Sequence, residues 1–136
     1  MQLVWLGHGS FRLETEGNVV LIDPWLTGNP MLDATQHAAA TDGATHILLT
    51  HAHFDHSADV LDLARGKNIP IVGQYDIMSH WAEHEKVETV GFNKGGTVDL
   101  NGVRVSMVPA SHSSSFPSPD GPQCAGSEVG FMIGRG

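Results

Sequence analysis

The sequence predicts an α/β chain of the α+β kind, a mixed β-sheet with flanking helices, and three observations carry that prediction. Residues 2–22 read as a β-meander, the middle of the chain alternates strand and helix patterns, and the remainder returns to β around an Asn-Gly turn. At 136 residues the chain is long enough for one domain with its own apolar core and too short for two, so residues 1–136 are read as a single domain.

The meander rests on three short apolar-rich runs, residues 2–6, 11–15 and 18–22, with Gly7-His8-Gly9 and Glu16-Gly17-Asn18 as turns. Residues 27–42 are polar, contain Gly28-Asn29-Pro30, and read as a long loop or a short helix near residues 32–40. Residues 46–50 form a compact apolar strand. A dense histidine cluster follows without pause, then a helix over residues 58–64 on the spacing of Val60, Leu61 and Ala64. A buried strand at 69–73, a helix at 76–85 and a short strand at 88–91 complete the alternating middle. In the last part, strands at 97–100 and 103–109 flank Asn101-Gly102, a strong hairpin signal, and a further strand covers 128–133. The Ser/Pro-rich run between them, through Gln123, reads as a surface loop.

Composition narrows the function. No apolar run approaches the length of a membrane span, and Met1-Gln2-Leu3-Val4-Trp5 lacks the basic region and cleavage site of an export signal, so no membrane and a cytoplasmic location are expected. Cys124 stands alone and can build neither a disulfide framework nor a cysteine zinc ribbon, so it reads as a spare loop thiol. Seven Lys and Arg against fifteen Asp and Glu give a net charge of -8, which repels a phosphate backbone and disfavours nucleic acid as a partner. Nine histidines are the one compositional anomaly, and imidazole is the commonest side-chain metal ligand.

Thr50-His51-Ala52-His53-Phe54-Asp55-His56 places three imidazoles and a carboxylate within six residues. Even with this many histidines, H-x-H-x-D-H arises by chance on the order of a few times per thousand such sequences. His51 and His53 are two apart at a strand's end and project to the same side. Asp55 and His56 fall at the start of the next helix, where Asp is a good N-cap, and can face a second metal beside the first. A catalytic metal takes three protein ligands and keeps one position open, so a third nitrogen should arrive from elsewhere, and His112, after the strand 103–109, is the candidate.

Asp23 also ends a strand and reads equally well as a turn residue before Pro24 or as a group orienting a ligand histidine from behind. His8, between two glycines, can border the same pocket. His80 and His84 have helical i,i+4 spacing but no third ligand beside them, and read as a solvated helix face; His37 and His46 have no partner pattern. The serines around His112 lack triad geometry and a nucleophile elbow.

Taken together, Leu6-Gly7-His8, Leu21-Ile22-Asp23-Pro24, residues 48–56 and Pro109-Ala110-Ser111-His112-Ser113-Ser114-Ser115 resemble the metallo-β-lactamase superfamily. Within it, the likeness is to metal-dependent hydrolases near the ascorbate-phosphate lactonase branch. The resemblance implies a four-layer αββα sandwich of two similar halves, of which this chain is mainly the N-terminal one. It also implies one metal on His51, His53 and His112, a second on Asp55 and His56, and Asp23 as the family's structural aspartate. Ala52 stands where the family usually has glycine, and Gly-His-Gly-Ser-Phe replaces the usual Gly-His-Ser-Cys-Phe. The chain stops at Gly136, just before the bridging-aspartate and final-histidine motifs of its relatives. A half sandwich is expected to leave an apolar sheet face bare, so a second chain supplying the missing half, self-association as a homo-oligomer, or a shortened version of a longer chain is expected.

The function expected is hydrolysis of a small-molecule ester, lactone, amide or phosphoester through a metal-bound hydroxide, with Asp55 as ligand and as the group orienting the nucleophile. Zinc, one ion or two, suits the donor set best, with manganese, iron or nickel as alternatives. The competing readings are a metal-binding half-domain inactive alone, and oxidative chemistry as in the superfamily's iron enzymes.

Overall fold

A computed structural model describes residues 1–136. The meander expected at the start is present: β1 (Gln2–Gly7), β2 (Ser10–Thr15) and β3 (Asn18–Ile22) pair antiparallel in succession. Three parallel strands extend the same sheet: β4 (His46–Leu49), β5 (Ile71–Gln74) and β6 (Thr89–Phe92), giving the order β1-β2-β3-β4-β5-β6. All four residues of β4 are buried, as the apolar run Ile47-Leu48-Leu49 requires of a parallel strand covered on both faces.

Four helices accompany them: α1 (His37–Thr41), α2 (Phe54–Ser57), α3 (Val60–Lys67) and α4 (Tyr75–His84). A second sheet, antiparallel and three-stranded, is formed by β7 (Thr97–Leu100), β8 (Val103–Pro109) and β11 (Val129–Arg135) in the order β11-β8-β7. Asn101 and Gly102 both have positive φ, 53° and 90°, the backbone an Asn-Gly hairpin turn demands.

Three layers result. Leu13, Val20, Leu48 and Val72 of the large sheet pack with Leu100, Val103 and Val105 of the small one to form the core between the sheets. On the other face, Leu21, Ile47, Leu49 and Ile71 pack with Val60 and Ala64 of α3 and with Ile77, Met78 and Trp81 of α4. The fold class is therefore the mixed α/β one expected, and the chain supplies a helix-sheet-sheet portion of the sandwich. None of its helices is long and apolar enough to cross a membrane.

Several local expectations are corrected. The helix expected over 58–64 is α3, shifted to 60–67, and a further short helix, α2, precedes it; the chain turns between them where Asp59 directs its carboxylate to the backbone amides of Leu26 and Thr27, at 2.7 and 3.1 Å. The loop through Gln123 contains a small ribbon, β9 (Ser115–Phe116) against β10 (Gln123–Cys124). The short helix expected near residues 32–40 is present: a 3-10 turn, Ala34–Gln36, closed by a capping box between Asp33 and Gln36, leads into α1. Leu3 and Trp5 lie on the face of Leu13 by register, yet they are 61% and 55% exposed, because the three-stranded sheet is narrower than the six-stranded one it covers.

Candidate metal centre

The ends of β3, β4 and β8 and the β1–β2 turn meet at one edge of the sandwich. The β4 chain passes directly into Thr50 and the histidine loop, and its backbone is held there by a hydrogen bond from Val129 N to Thr50 O, 2.9 Å. Ligand atoms of His51, His53 and His112 lie within 4.8 Å of one another. Their ring centroids are 4.7, 4.7 and 4.9 Å apart, and each pair is nearly perpendicular, at 82°, 85° and 83°. Rings that turn their edges inward around a common point, instead of stacking, leave nitrogen lone pairs converging on it.

Asp23 organises this arrangement from behind. It is 3% exposed and has a positive φ of 45°, a conformation an aspartate tolerates better than most residues. One carboxylate oxygen accepts the amide of Thr50 at 2.8 Å; the other accepts the Thr50 hydroxyl and Nδ1–H of His56, the latter at 2.9 Å. A carboxylate only accepts, so the Thr50 proton must point at Asp23. The Thr50 oxygen then accepts Nδ1–H of His51, at 2.8 Å. Both His51 and His56 are thereby fixed as the tautomer whose Nε2 carries a bare lone pair.

Nε2 of His51 is buried without any hydrogen-bond partner. Burial, reinforced by the neighbouring His56, lowers the His51 pKa to about 4, so the ring is neutral near pH 7. A buried, neutral, unpartnered imidazole nitrogen facing two other imidazoles is a donor set that fits a divalent transition metal.

A second group adjoins the first, with His51 and His56 centroids 4.1 Å apart. Ligand atoms of His8, Asp55 and His56 also lie within 4.8 Å of one another. His8 Nε2 donates to Asp55 Oδ2 at 2.7 Å, and His56 Nε2 lies 3.8 Å from the same oxygen. Burial opposes charge on Asp55, but the His8 hydrogen bond and the nearby His56 outweigh it and hold its pKa below the usual value. Burial likewise opposes charge on His56, and the hydrogen bond and charge of Asp23 outweigh it, raising its pKa. His8 is held by its own positive φ of 54°, by the Trp5 indole N–H donating to its carbonyl at 2.9 Å, and by an edge contact with Trp25.

All the residues singled out in the motif segments therefore gather here. His8 sits inside the second cluster, where the sequence placed it only at a pocket's border, and Asp23 contacts His56 directly. Asp55 does not cap its helix: His53 occupies the N-cap position of α2, and the Asp55 carboxylate turns to His8 instead. Ala52 is fully buried in the core, so its methyl group packs without displacing a ligand. His80 and His84 are exposed on α4, away from the cluster.

Sequence reasoning missed three supporting residues. The strand pattern shows Thr50 only as an end residue, although its place directly before the motif is a signal for its role. Ser114 is buried, accepts Ala52 N–H at 3.1 Å and donates to the Ala125 carbonyl at 2.6 Å, tying the histidine loop to the segment after β10. Gly9 lies so near His56 that an added Cβ would stand 2.6 Å from its Cε1.

Comparison with known proteins bears on the family and the fold. The family described as the β-lactamase superfamily domain matches residues 18–136. A UPF0173 metal-dependent hydrolase of Ruegeria sp. is 69% identical over 98% of this chain and 58% of its own length, and one from Paracoccus denitrificans is 58% identical over the same shares. The chain thus spans somewhat over half the length of these relatives. Among solved structures, the metallo hydrolase Igni18 of Ignicoccus hospitalis superposes with a TM-score of 0.82 at 28% identity, over 98% of this chain and 55% of that one. The diiron β-hydroxylase CmlA of Streptomyces venezuelae shares the fold at TM-score 0.70 and 19% identity, over 98% of this chain and 27% of that one.

Proposed function

We propose, because the chain belongs to the β-lactamase superfamily, that it carries the metal-binding half of a metal-dependent hydrolase acting on a small ester, lactone, amide or phosphoester. His51, His53 and His112 hold one ion. Asp55 and His56 hold a second beside it, and His8 braces Asp55 through its hydrogen bond. Asp23 keeps His51, through Thr50, and His56 in the ligating tautomer. The names of the similar UPF0173 proteins, which call them metal-dependent hydrolases, support the reaction class. Zinc is the ion best suited to this nitrogen and carboxylate set, over manganese, iron or nickel.

The metal supplies Lewis acidity and activates water at neutral pH. The chain's own residues bind and orient: the three imidazoles fix the ion at a strand edge, Asp55 offers a carboxylate beside the reacting centre, and Asp23 holds protons away from the ligating nitrogens. The observation that carries the proposal is the buried, unpartnered Nε2 of His51 facing two further imidazoles.

A second reading follows from the exposed Leu3 and Trp5 and from the 58% span of the relatives: the chain binds metal but turns over substrate only with a complementing half, or a second copy, against that face. Elemental analysis of the purified chain, with His51→Ala and His112→Ala alongside, tests both readings. About one or two ions per chain, reduced in both variants, is expected. Hydrolysis of a panel of small esters and lactones by the chain alone separates an active site from a half-site. A wild-type chain that takes up no zinc when supplied with it would overturn the proposal.

A further inference from the structure

This inference rests on the metal-centre reading above and names what the site accommodates beside the reacting group. One cavity of about 310 Å³ opens against the cluster, lined by His53, Asp55, Ser115 and Pro122 together with Phe54 and Pro117. A second, of about 370 Å³, shares Phe54 and Pro117 and continues over Ala58, Leu61, Trp81 and Phe116, with Ser57, His80 and Glu85 as its polar lining. The two therefore form one groove that starts at two proposed metal ligands and ends on a largely apolar floor with His80 at its rim.

Phe54 is the hinge of this groove. It lies between His53 and Asp55 in the chain, and its side chain remains 59% exposed with its edge on Trp25, 5.9 Å between centroids. An aromatic ring held in solvent beside a metal cluster is placed to meet a ligand. At the far end, Trp81 and Phe116 pack at 5.6 Å and form a wall. The carboxylate on the lining, Glu85, is engaged by Arg65 at 2.8 Å, which leaves the groove without a free charge of its own at that position.

We propose that this groove is the acyl subsite of the hydrolase: it takes the uncharged apolar chain of an ester, lactone or amide whose carbonyl stands at the metal centre. Water adds to the carbonyl carbon and the acyl C–O or C–N bond breaks: an ester or amide gives a carboxylic acid that retains the groove-bound chain and an alcohol or amine that leaves, whereas a lactone opens to one hydroxy acid. A methylene fully sheltered from water strengthens binding about fourfold, and one in an open groove about twofold.

The test is calorimetric titration of the zinc-loaded chain with acetohydroxamate, butyrohydroxamate and hexanohydroxamate, whose headgroup binds zinc and whose tails differ only in length. Affinity is expected to rise about two- to fourfold per methylene along the series. Ala58→Trp, at an exposed position on the groove that is not itself a ligand, should flatten the rise, while acetohydroxamate, which has no tail to displace, should keep its zinc-dependent binding. Magnetisation transfer from the hexanohydroxamate methyl group to Phe54 and Trp81 ring protons should be seen in the wild type. Zinc-dependent binding of all three probes with equal affinity, or a rise that survives in Ala58→Trp, would overturn the acyl subsite while leaving the metal centre standing. Absence of zinc-dependent binding to any probe would overturn both.

Discussion

Replacing Asp23 by Asn removes one charge and turns one acceptor into a donor, with the shape of the side chain retained. Asparagine tolerates the positive φ of 45° at this position, so the backbone has no reason to move. If the amide oxygen keeps the Thr50 N–H, the new NH₂ faces the Thr50 hydroxyl and His56 Nδ1. His56 must then accept at Nδ1 and carry its proton on Nε2, which no longer ligates. If the amide flips, the Thr50 amide loses its acceptor, and a buried unsatisfied donor costs about 1–3 kcal/mol. Loss of an outer partner lowers metal affinity by about 10–100-fold, and here one carboxylate serves a ligand in each cluster, so both ions should weaken. Zinc competition against a chelator measures the affinity, and ¹⁵N spectra of the imidazoles in the metal-free chain read the His56 tautomer directly. Asp23→Asn that binds zinc as the wild type does, with the His56 proton still on Nδ1, would refute the argument.

Other expectations follow from the same contacts. Gly9→Ala places a methyl group 2.6 Å from His56 Cε1, and that ring is held at Nδ1 by Asp23 at 2.9 Å; bound metal should fall at the second cluster while the three-histidine set persists, as metal content and competition will register. Ser114→Ala strands the Ala52 amide and the Ala125 carbonyl and should cost about 1–3 kcal/mol in denaturant unfolding, so a variant of wild-type stability would contradict that bridging role. In the metal-free chain, His51 titrates at about 4, whereas an unfolded histidine titrates near 6.5. Between these values the unfolded chain binds the extra proton, so the contribution of His51 is complete above about pH 6.5 and is lost as pH falls toward 4, by up to about 3 kcal/mol. His51→Asn should therefore show a shallower loss of stability over that range, and an acid limb as steep as the wild type's would count against the burial argument.

What the sequence displays well is what neighbouring residues decide. The apolar run of β4, the alternation of β8, the Asn101-Gly102 turn and the H-x-H-x-D-H loop are all local patterns, and each appears in the structure close to its expected bounds. What it conceals depends on partners far along the chain. The break between α2 and α3 follows from Asp59 reaching Leu26, and the failure of Asp55 to cap α2 follows from His8, forty-seven positions away. Thr50 gains its role only because Asp23 lies behind it, twenty-seven positions earlier. The β9–β10 ribbon is two residues a side, too short for any periodicity to announce.

These long-range contacts also explain how the ligand side chains are held together. Its frame is the ends of β3 and β4, parallel neighbours buried on both faces, so the loops they carry start from fixed points. The unfavourable features are concentrated at the same edge: positive φ at His8 and Asp23 and a buried unpartnered nitrogen on His51. A buried nitrogen without a partner costs about 1–3 kcal/mol in the metal-free chain. That cost is relieved only by a ligand at Nε2, so the chain's folding stability and its metal affinity are linked through one atom. The Asp23–Thr50–His51 relay fixes the direction of that linkage, because it denies His51 the alternative tautomer in which Nε2 would carry a proton instead.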